Sequence, residues 1–424
     1  MSDLLLLLVQ IAAIISVARA AGILFRKIGQ PQVVGEMAAG IMLGPTLLGW
    51  ALPEAYESLF PAGSLGHLNV LSQIGLLLFM FLVGLEFNPK FLRKQGHTAF
   101  LTSHASISLP YLLGALLALF LYPRLSDESV DFMEFTLFLG AAMSVTAFPV
   151  LARILRDRQL SRTEIGTVAI ACAAVDDVTA WCLLAYIVAL VRAAHGATPL
   201  WITFTGLTLY LLFMVFVARG LLARLLTASR HRKVPSEDMT AFILMLLFVS
   251  AMTTEWLGIH LLFGAFVFGA VMPKEERLIA QLTLRIESVT QVLLLPIFFA
   301  YTGLRTSIQA LNGTEMWLYC ALVLLVAMLG KFGGSSIAAR VSGMSWRDST
   351  AIGVLMNTRG LMELVILNIG LDLGVISTAL FSMMVVMALA TTFMTTPLLE
   401  FIYPARSIRA EQAAVQKNYA YNEL

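Results

Sequence analysis

The chain has 424 residues, of which 59% are hydrophobic and 13% are charged, and its formal net charge is +2. A soluble globular domain carries about 25% charged residues, so this composition excludes an ordinary soluble protein and favours a membrane protein. It contains no nucleotide-binding glycine-rich loop, nucleophile elbow or zinc-ligand spacing, and we expect no enzymatic activity, no cofactor and no nucleic-acid partner.

Apolar runs long enough to cross a bilayer as α-helices follow one another along the chain. We predict an all-α polytopic membrane protein with 13 transmembrane helices embedded in a lipid bilayer. The predicted spans lie at roughly 3–25, 31–50, 66–87, 98–122, 132–155, 162–193, 199–223, 238–257, 260–272, 287–305, 315–339, 348–371 and 377–402.

The basic residues alternate between the two sides of this arrangement. If the N-terminus lies outside, the cytoplasmic loops and the C-terminal tail hold 22 of the 28 Lys and Arg residues. Cytoplasmic loops of membrane proteins carry such an excess. We therefore predict a multi-pass protein of the inner (plasma) membrane with its N-terminus outside and its C-terminus in the cytoplasm. From the short predicted tail, 404–424, we expect no nucleotide-binding regulatory domain in this chain.

Two pairs of glycine motifs indicate an internal repeat. Span 2 contains Gly35 and Gly40 in the same spacing as Gly264 and Gly269 in span 9, and spans 3 and 10 both end in Gly-Leu followed by a charged residue. Spans 1–6 then correspond to spans 8–13 in opposite orientation, an arrangement typical of secondary transporters. The alternative is that these glycines only allow helices to pack closely.

Five charged residues fall deep within predicted spans, where charge is costly and usually functional. Asp176 and Asp177 are neighbours on span 6, so their side chains point about 100° apart and face different partners. Lys331 is the only Lys inside a span, and it can pair with one aspartate either structurally or as part of a functional site. Arg359 and Glu363 are four residues apart, which predicts an ion pair within one helix.

Two spans carry residues that interrupt a helix. Pro149 lies in span 5 and disfavours helical geometry at the residue before it. Gly360 in span 12 marks the corresponding break. Interrupted helices expose backbone carbonyls that can hold a cation, and Thr146, Asn357 and Thr358 add oxygen atoms nearby.

These residues and the runs around them resemble the monovalent cation:proton antiporter superfamily over essentially all of the membrane region. The aspartate pair resembles the motif of electrogenic bacterial sodium/proton antiporters. The runs Met356–Gly370, Thr146–Arg153 and Phe298–Arg305 resemble those of plant cation/proton exchangers. The aspartate at 176, where plant exchangers often carry Asn, and the short tail depart from individual branches, so the ion stays open between Na⁺ and K⁺.

The resemblance implies that one membrane transport domain, 1–403, consists of a core part, a dimerisation part and a linker helix. Spans 4–6 and 11–13 (about 98–193 and 315–402) would form a mobile core, with interrupted spans 5 and 12 crossing in it. Spans 1–3 and 8–10 (about 1–87 and 238–305) would form the surface of a homodimer. A linker helix at about 199–223 would join the two parts.

By the same resemblance, Asp177 would bind the metal cation or a proton, and Asp176 would pair with Lys331. The expected activity is exchange of Na⁺ or K⁺ for H⁺ by alternating access, electrogenic if Lys331 also releases a proton. Three alternatives stay open: an electroneutral K⁺/H⁺ exchanger, a sodium-coupled organic-anion symporter of related fold, and a channel.

Overall fold

The fold was taken from a computed structural model, which describes residues 2–86, 96–127, 130–161, 163–194, 200–228 and 237–404. Within those ranges the regular structure is entirely helical. The α-helices are α1 Asp3–Lys27, α2 Gln32–Leu43, α3 Pro53–Leu59, α4 Leu65–Glu86, α5 Gly96–Leu125, α6 Phe132–Ser144, α7 Phe148–Asp157, α8 Glu164–Ala194, α9 Leu200–Leu212, α10 Arg219–Ala228, α11 Glu237–Trp256, α12 Leu261–Val271, α13 Glu276–Val289, α14 Leu295–Leu304, α15 Thr314–Met328, α16 Gly334–Val341, α17 Trp346–Met356, α18 Leu361–Asp372 and α19 Thr378–Ile402.

Ten helical segments of the described chain are long and apolar enough to cross a membrane, and an eleventh is the pair α17 and α18, bent by 42°. The predicted all-helical polytopic architecture is therefore confirmed. The count of 13 spans stays a prediction because α2 and α12 have only 12 and 11 residues. All but the first residue of the predicted tail, 404–424, lies outside the described residues.

The chain divides into two compact units. One contains residues 1–18, 39–89 and 181–304, and the other contains residues 19–38, 90–180 and 305–424. Both interrupted spans and all five deep charged residues belong to the second unit, so the geometry below concerns that unit alone.

In the first unit, glycines allow two pairs of helices to cross at backbone contact. A Cβ added to Gly40 of α2 would lie 2.1 Å from a backbone carbonyl oxygen of α14, and one added to Gly303 would lie 2.0 Å from the carbonyl of Gly40. Where α4 crosses α12, a Cβ on Gly84 or on Gly269 would lie 2.3 Å from an opposing carbonyl. No side chain fits at these distances, so the four glycines set how closely these helices approach.

In the second unit, the two interrupted spans meet at their breaks. The chain is extended from residue 145 to residue 147 and again irregular from 357 to 360. The amide N–H of Ala147 donates a hydrogen bond of 3.0 Å to the carbonyl of Thr358, which joins the two breaks directly. Gly360 fits because a Cβ there would lie 2.7 Å from Val150.

The position of the first break differs from the sequence expectation. Phe148 was expected to be non-helical because it precedes Pro149, but it begins α7 and Pro149 lies in the first turn. Proline suits that turn because its fixed φ is helical and its missing N–H has no partner there in any case. The interruption consequently falls three residues before it, where Thr146 is located.

Candidate functional site

Asp176 and Lys331 form a fully buried ion pair. The Lys331 ammonium lies 3.0 Å from Asp176 Oδ2, and neither side chain is exposed. Taking both charges out of water is costly and is offset only when further hydrogen bonds satisfy the remaining donors and acceptors.

Three hydroxyl groups supply those hydrogen bonds. Ser103 and Ser106 of α5 donate to the two carboxylate oxygens of Asp176 at 2.8 and 2.9 Å. Thr146, at the break of the first interrupted span, lies 2.8 Å from Asp176 Oδ2 and 2.6 Å from the Lys331 ammonium. The ammonium also donates to Ser106 at 3.0 Å. Both charges are therefore well satisfied.

Lys331 sits in a short π-helical turn, Leu329–Gly333, between α15 and α16. Such turns insert an extra residue into a helix and are frequent at functional sites. Close packing accompanies this turn, since a Cβ on Gly330 would lie 2.7 Å from the backbone of Pro110 in α5. The turn and the small residue together let Lys331 reach the hydroxyls of α5.

Asp177 has the opposite environment. It is 2% exposed, and neither carboxylate oxygen makes a hydrogen bond with any residue that the structure describes. The amide of Phe148, at the N-terminus of α7, lies near this carboxylate but outside hydrogen-bond geometry. A buried carboxylate without a partner is costly unless it binds a proton or a cation.

Two more buried oxygen atoms near the crossing are without partners among the described residues. They are Asn357 Oδ1 and Thr358 Oγ1, on residues that are 5% and 0% exposed. Thr146 differs from them, because its hydroxyl already contacts the ion pair and lies 3.1 Å from the carbonyl of Met356. Of the three predicted oxygen ligands, Thr146 thus joins the ion pair to the break, and Asn357 Oδ1 and Thr358 Oγ1 have no hydrogen-bond partner in the part of the chain that the structure describes.

Arg359 and Glu363 are paired, but not within one helix as expected. The guanidinium lies 2.7 Å from Glu363 Oε2, and both side chains are fully buried. Arg359 itself lies in the break, whereas Glu363 lies in the first turn of α18. From there the guanidinium also donates to the carbonyls of Ala142 and Met143, at 2.8 and 2.7 Å, in the last turn of α6.

Each helix end at the crossing faces a charge of the favourable sign. Helix C-termini favour cations, and Arg359 caps α6 while Lys331 reaches the end of α17 through Thr146. Helix N-termini favour anions, and Asp177 lies near the start of α7 while Glu363 lies in the first turn of α18. These helix ends add to the two buried ion pairs, Lys331 with Asp176 and Arg359 with Glu363, and they leave Asp177 as the one of these charged residues without a charged partner in the described chain.

Sequence reasoning missed Ser103 and Ser106, although they are three residues apart and thus share one face of α5. It also missed Thr392 of α19, whose hydroxyl accepts from the amide of Arg359 at 3.0 Å and donates to its carbonyl at 2.8 Å. Ser and Thr are unremarkable in apolar helices, so only their spacing could have marked them.

The chain matches the family described as "Sodium/hydrogen exchanger, transmembrane" over residues 12–402. The chain belongs to this sodium/hydrogen exchanger family. It is 47% identical over 407 residues to the Na(+)/H(+) antiporter NhaS4 of Synechocystis sp. PCC 6803, covering 95% of this chain and 98% of that protein. The resemblance read from the sequence is confirmed.

Two longer proteins are also similar to this chain. Cation/H(+) antiporter 17 of Arabidopsis thaliana is 38% identical and K(+)/H(+) antiporter 1 of Saccharomyces cerevisiae is 35% identical, each across 95% of this chain. The chain spans about half the length of these relatives, 49% and 47%. The sodium proton antiporter MjNhaP1 from Methanocaldococcus jannaschii shares the fold, with a TM-score of 0.63, 13% identity and coverage of 96% and 98%.

Proposed function

We propose that this protein exchanges a monovalent cation, Na⁺ or K⁺, for protons across a membrane, with Asp177 as the exchange site. The observation that carries this proposal is the contrast between two adjacent buried carboxylates. Asp176 has four polar partners, including a cation, whereas Asp177 has no hydrogen-bond partner in the described chain. Asp177 is therefore the carboxylate that needs an external positive charge.

The bound cation would be held by oxygen atoms of the two breaks. Asp177 contributes the charge, and Asn357 Oδ1 and Thr358 Oγ1 contribute neutral ligands, since all are buried acceptors without partners in the described part of the chain. Hard alkali cations favour such oxygen ligands over sulfur or nitrogen. A proton and a cation would compete for the same carboxylate, and leaving it empty would cost a buried charge, which enforces exchange.

Lys331 and Asp176 would set the charge carried in each cycle. If cation binding at Asp177 loosens this pair, Lys331 can lose its proton in the buried site, and two protons move for one cation. Exchange would then be electrogenic. If the pair stays closed throughout, exchange is electroneutral, as in a one-for-one K⁺/H⁺ exchanger.

The finer architecture belongs to the same proposal. The predicted relation between spans 1–6 and 8–13 places Gly40 on Gly269 and Gly303 on Gly84. The crossing of Gly40 with Gly303 then corresponds to the crossing of Gly269 with Gly84, which supports inverted repeats. We propose 13 spans, an external N-terminus, a mobile core of spans 4–6 and 11–13, and a homodimer formed through spans 1–3 and 8–10. The proposed location is the inner membrane.

The test is proton flux in proteoliposomes when Na⁺, K⁺, Li⁺ or Rb⁺ is added against a pH gradient. We expect one or more of these cations to dissipate the gradient in the wild type and none to do so in Asp177→Asn. Cation-dependent proton flux that is unchanged in Asp177→Asn would contradict the proposal.

A matched variant separates the exchange site from the charge partner. Lys331→Gln should retain cation-driven proton flux but lose the dependence of its rate on membrane potential. If the wild-type rate shows no such dependence, exchange is electroneutral and the role of Lys331 in charge movement is wrong, while the role of Asp177 stands.

A further inference from the structure

We infer that the first unit contains a binding site for a primary ammonium group, in a cavity between the first half of α1 and the start of α4. Such a group is carried by a small free amine or by the head group of an aminophospholipid, and both present the same three N–H donors. This inference goes beyond the proposed exchange, because it concerns residues outside the exchange site. Its basis is the cavity, a buried oxygen atom without a partner, and the charge of the lining residues.

The cavity has a volume of about 230 Å³, far more than one water molecule needs. Its wall on α1 consists of Asp3, Leu6, Leu7 and Gln10, which share one face of the helix because they are three, four or seven residues apart. The opposite wall belongs to the chain from residue 61 to residue 67, which leads into α4. With 25 residues, α1 is about 37 Å long and exceeds the hydrocarbon core of about 30 Å, so its first turn reaches the lipid head groups.

Gln10 is fully buried where it lines the cavity, and its amide group is held in one orientation. Its nitrogen donates to the carbonyl of Leu59 and to Ser64 Oγ, both at 2.7 Å. A carbonyl oxygen only accepts, so the nitrogen must face Leu59 and the amide cannot be reversed. Gln10 Oε1 is thereby left without a hydrogen-bond partner among the described residues. A buried acceptor of this kind is costly unless a donor reaches it.

The polar groups of the cavity favour a ligand that donates hydrogen bonds and carries a positive charge. Asp3 and His67 are exposed, so they lie at its mouth, and the carboxylate of Asp3 only accepts. The Ser64 hydroxyl already accepts from Gln10 and donates to the carbonyl of Pro61 at 2.8 Å. None of the described residues that line the cavity is Lys or Arg. An anion would therefore meet a carboxylate at the mouth and an amide oxygen inside.

Two other kinds of cation fit this cavity less well than a primary ammonium group. Ca²⁺ takes six to eight oxygen ligands, whereas the cavity offers one carboxylate and one amide oxygen without a partner in the described chain. A quaternary ammonium group has no N–H for Gln10 Oε1, and proteins recognise it through aromatic faces. The described lining contains no Phe, Tyr or Trp. Leu6 and Leu7 instead provide an apolar wall for the methylene groups of a primary amine.

A bound ammonium group would donate to Gln10 Oε1 and be attracted by Asp3. Gln10 already holds the carbonyl of Leu59, the last residue of α3, and Ser64, which precedes α4. The ligand would thus complete the hydrogen bonds of the side chain that joins α1 to these two helices. A ligand that binds only the folded chain raises its stability, and we expect this effect from a primary amine.

The test compares ethanolamine with choline on the delipidated chain in detergent, in a buffer free of Tris and other amines. Thermal unfolding and calorimetric titration should show binding of ethanolamine and no binding of choline, which has the same charge but no N–H. Gln10→Met removes the buried acceptor and should weaken ethanolamine binding at least about tenfold. Asp3→Asn removes an exposed charge and should weaken it about two- to fivefold.

A lipid comparison distinguishes the two sources of the ammonium group. Phosphatidylethanolamine and phosphatidylcholine with identical acyl chains are added to the delipidated chain, and the bound lipid is counted by native mass spectrometry. A preference for phosphatidylethanolamine that Gln10→Met removes supports the site and identifies a lipid head group as its ligand. Ethanolamine binding without that preference supports the site and identifies a free amine.

The matched control is Glu164→Gln, which removes an exposed carboxylate from the first turn of α8 in the second unit and should leave ethanolamine binding unchanged. Equal binding of ethanolamine and choline, or binding of neither together with no preference between the lipids, would overturn the site. Unchanged binding in both Gln10→Met and Asp3→Asn would also overturn it. The ligand comparison on the wild type and the exposed Asp3→Asn change decide the result if Gln10→Met does not fold. Proton flux is not measured, so failure of this site leaves the proposed exchange at Asp177 intact.

Discussion

The buried Arg359–Glu363 pair allows a quantitative prediction about stability. Arg359→Gln removes the cation that pairs with Glu363 at 2.7 Å and weakens the cap on the two carbonyls at the end of α6. Both side chains are fully buried, so the carboxylate that is left cannot turn to solvent. Removing one partner of a buried pair costs about 3–5 kcal/mol, and we expect a loss of that size in the free energy of unfolding.

The double variant Arg359→Gln/Glu363→Gln should recover more than half of this loss. Replacing both partners of a buried pair is often close to neutral, since no uncompensated charge remains. Part of the loss should persist because the carbonyls of α6 lose their charged donor. Unfolding of the wild type and both variants is measured by denaturant titration in one detergent, monitored by circular dichroism.

The matched control is an exposed pair of the same charge types. Arg158 lies 3.1 Å from Glu400, with side-chain exposures of 24% and 59%. Exposed ion pairs contribute roughly 0–1 kcal/mol to the free energy of unfolding, so Arg158→Gln should change it very little. If Arg359→Gln destabilises the protein no more than Arg158→Gln, or if the double variant is as unstable as the single one, the account of the buried pair is refuted.

Three further predictions test other parts of the molecule. Thr146→Val removes the hydroxyl that joins the buried ion pair to the break, and transport should slow while the cation affinity changes little, as steady-state flux kinetics would show. Gly303→Ala should reduce thermal stability through its backbone clash, whereas Gly220→Ala, with no atom within 4 Å of the added Cβ, should not. Burial, with a smaller effect from Arg219, lowers the pKa of Lys274 from 10.5 to about 8, so the unfolded chain binds more protons there between those values. The wild-type free energy of unfolding should therefore rise over that pH range relative to Lys274→Gln, in parallel denaturant titrations.

Much of the site could be predicted because charge is rare inside apolar spans. Asp176, Asp177 and Lys331 stand out from the sequence for this reason, and the breaks are marked by Pro149 and Gly360. The hydroxyls that satisfy Asp176 could not be predicted in the same way, since serine is common in membrane helices and carries no charge. Their selection depends on how α5 packs against the turn around Lys331, which is a tertiary contact.

Local rules also misplaced two features for a physical reason. Pro149 disrupts a helix that continues through it but suits a helix that begins just before it, and the sequence alone does not distinguish the two cases. The four-residue spacing of Arg359 and Glu363 predicts their contact, yet it does not reveal that Arg359 has left the helix. Because it lies in the break, its guanidinium can reach α6 as well as Glu363.

The glycine motifs show that two interpretations of one pattern need not compete. Gly40, Gly84, Gly269 and Gly303 permit backbone contact, as the packing alternative requires. They do so in two helix crossings, Gly40 with Gly303 and Gly269 with Gly84, and the predicted repeat relates the first crossing to the second. A repeat that preserves a fold would preserve the glycines at its closest contacts, so close packing would be the physical reason for the pattern from which we predict the repeat.

The arrangement of charge at the crossing supports the proposal that Asp177, and not its neighbour Asp176, is the exchange site. Lys331 and three hydroxyls surround Asp176, so binding another cation there would displace favourable contacts. Asp177 faces the N-terminus of α7, which moderates its charge without neutralising it, and the buried oxygens of Asn357 and Thr358 are left free in the described chain. Obligatory exchange requires a site that is stable when a proton or cation is bound and costly in free energy when it is empty. The helix breaks favour such a site at Asp177 because they give the two neighbouring carboxylates different environments.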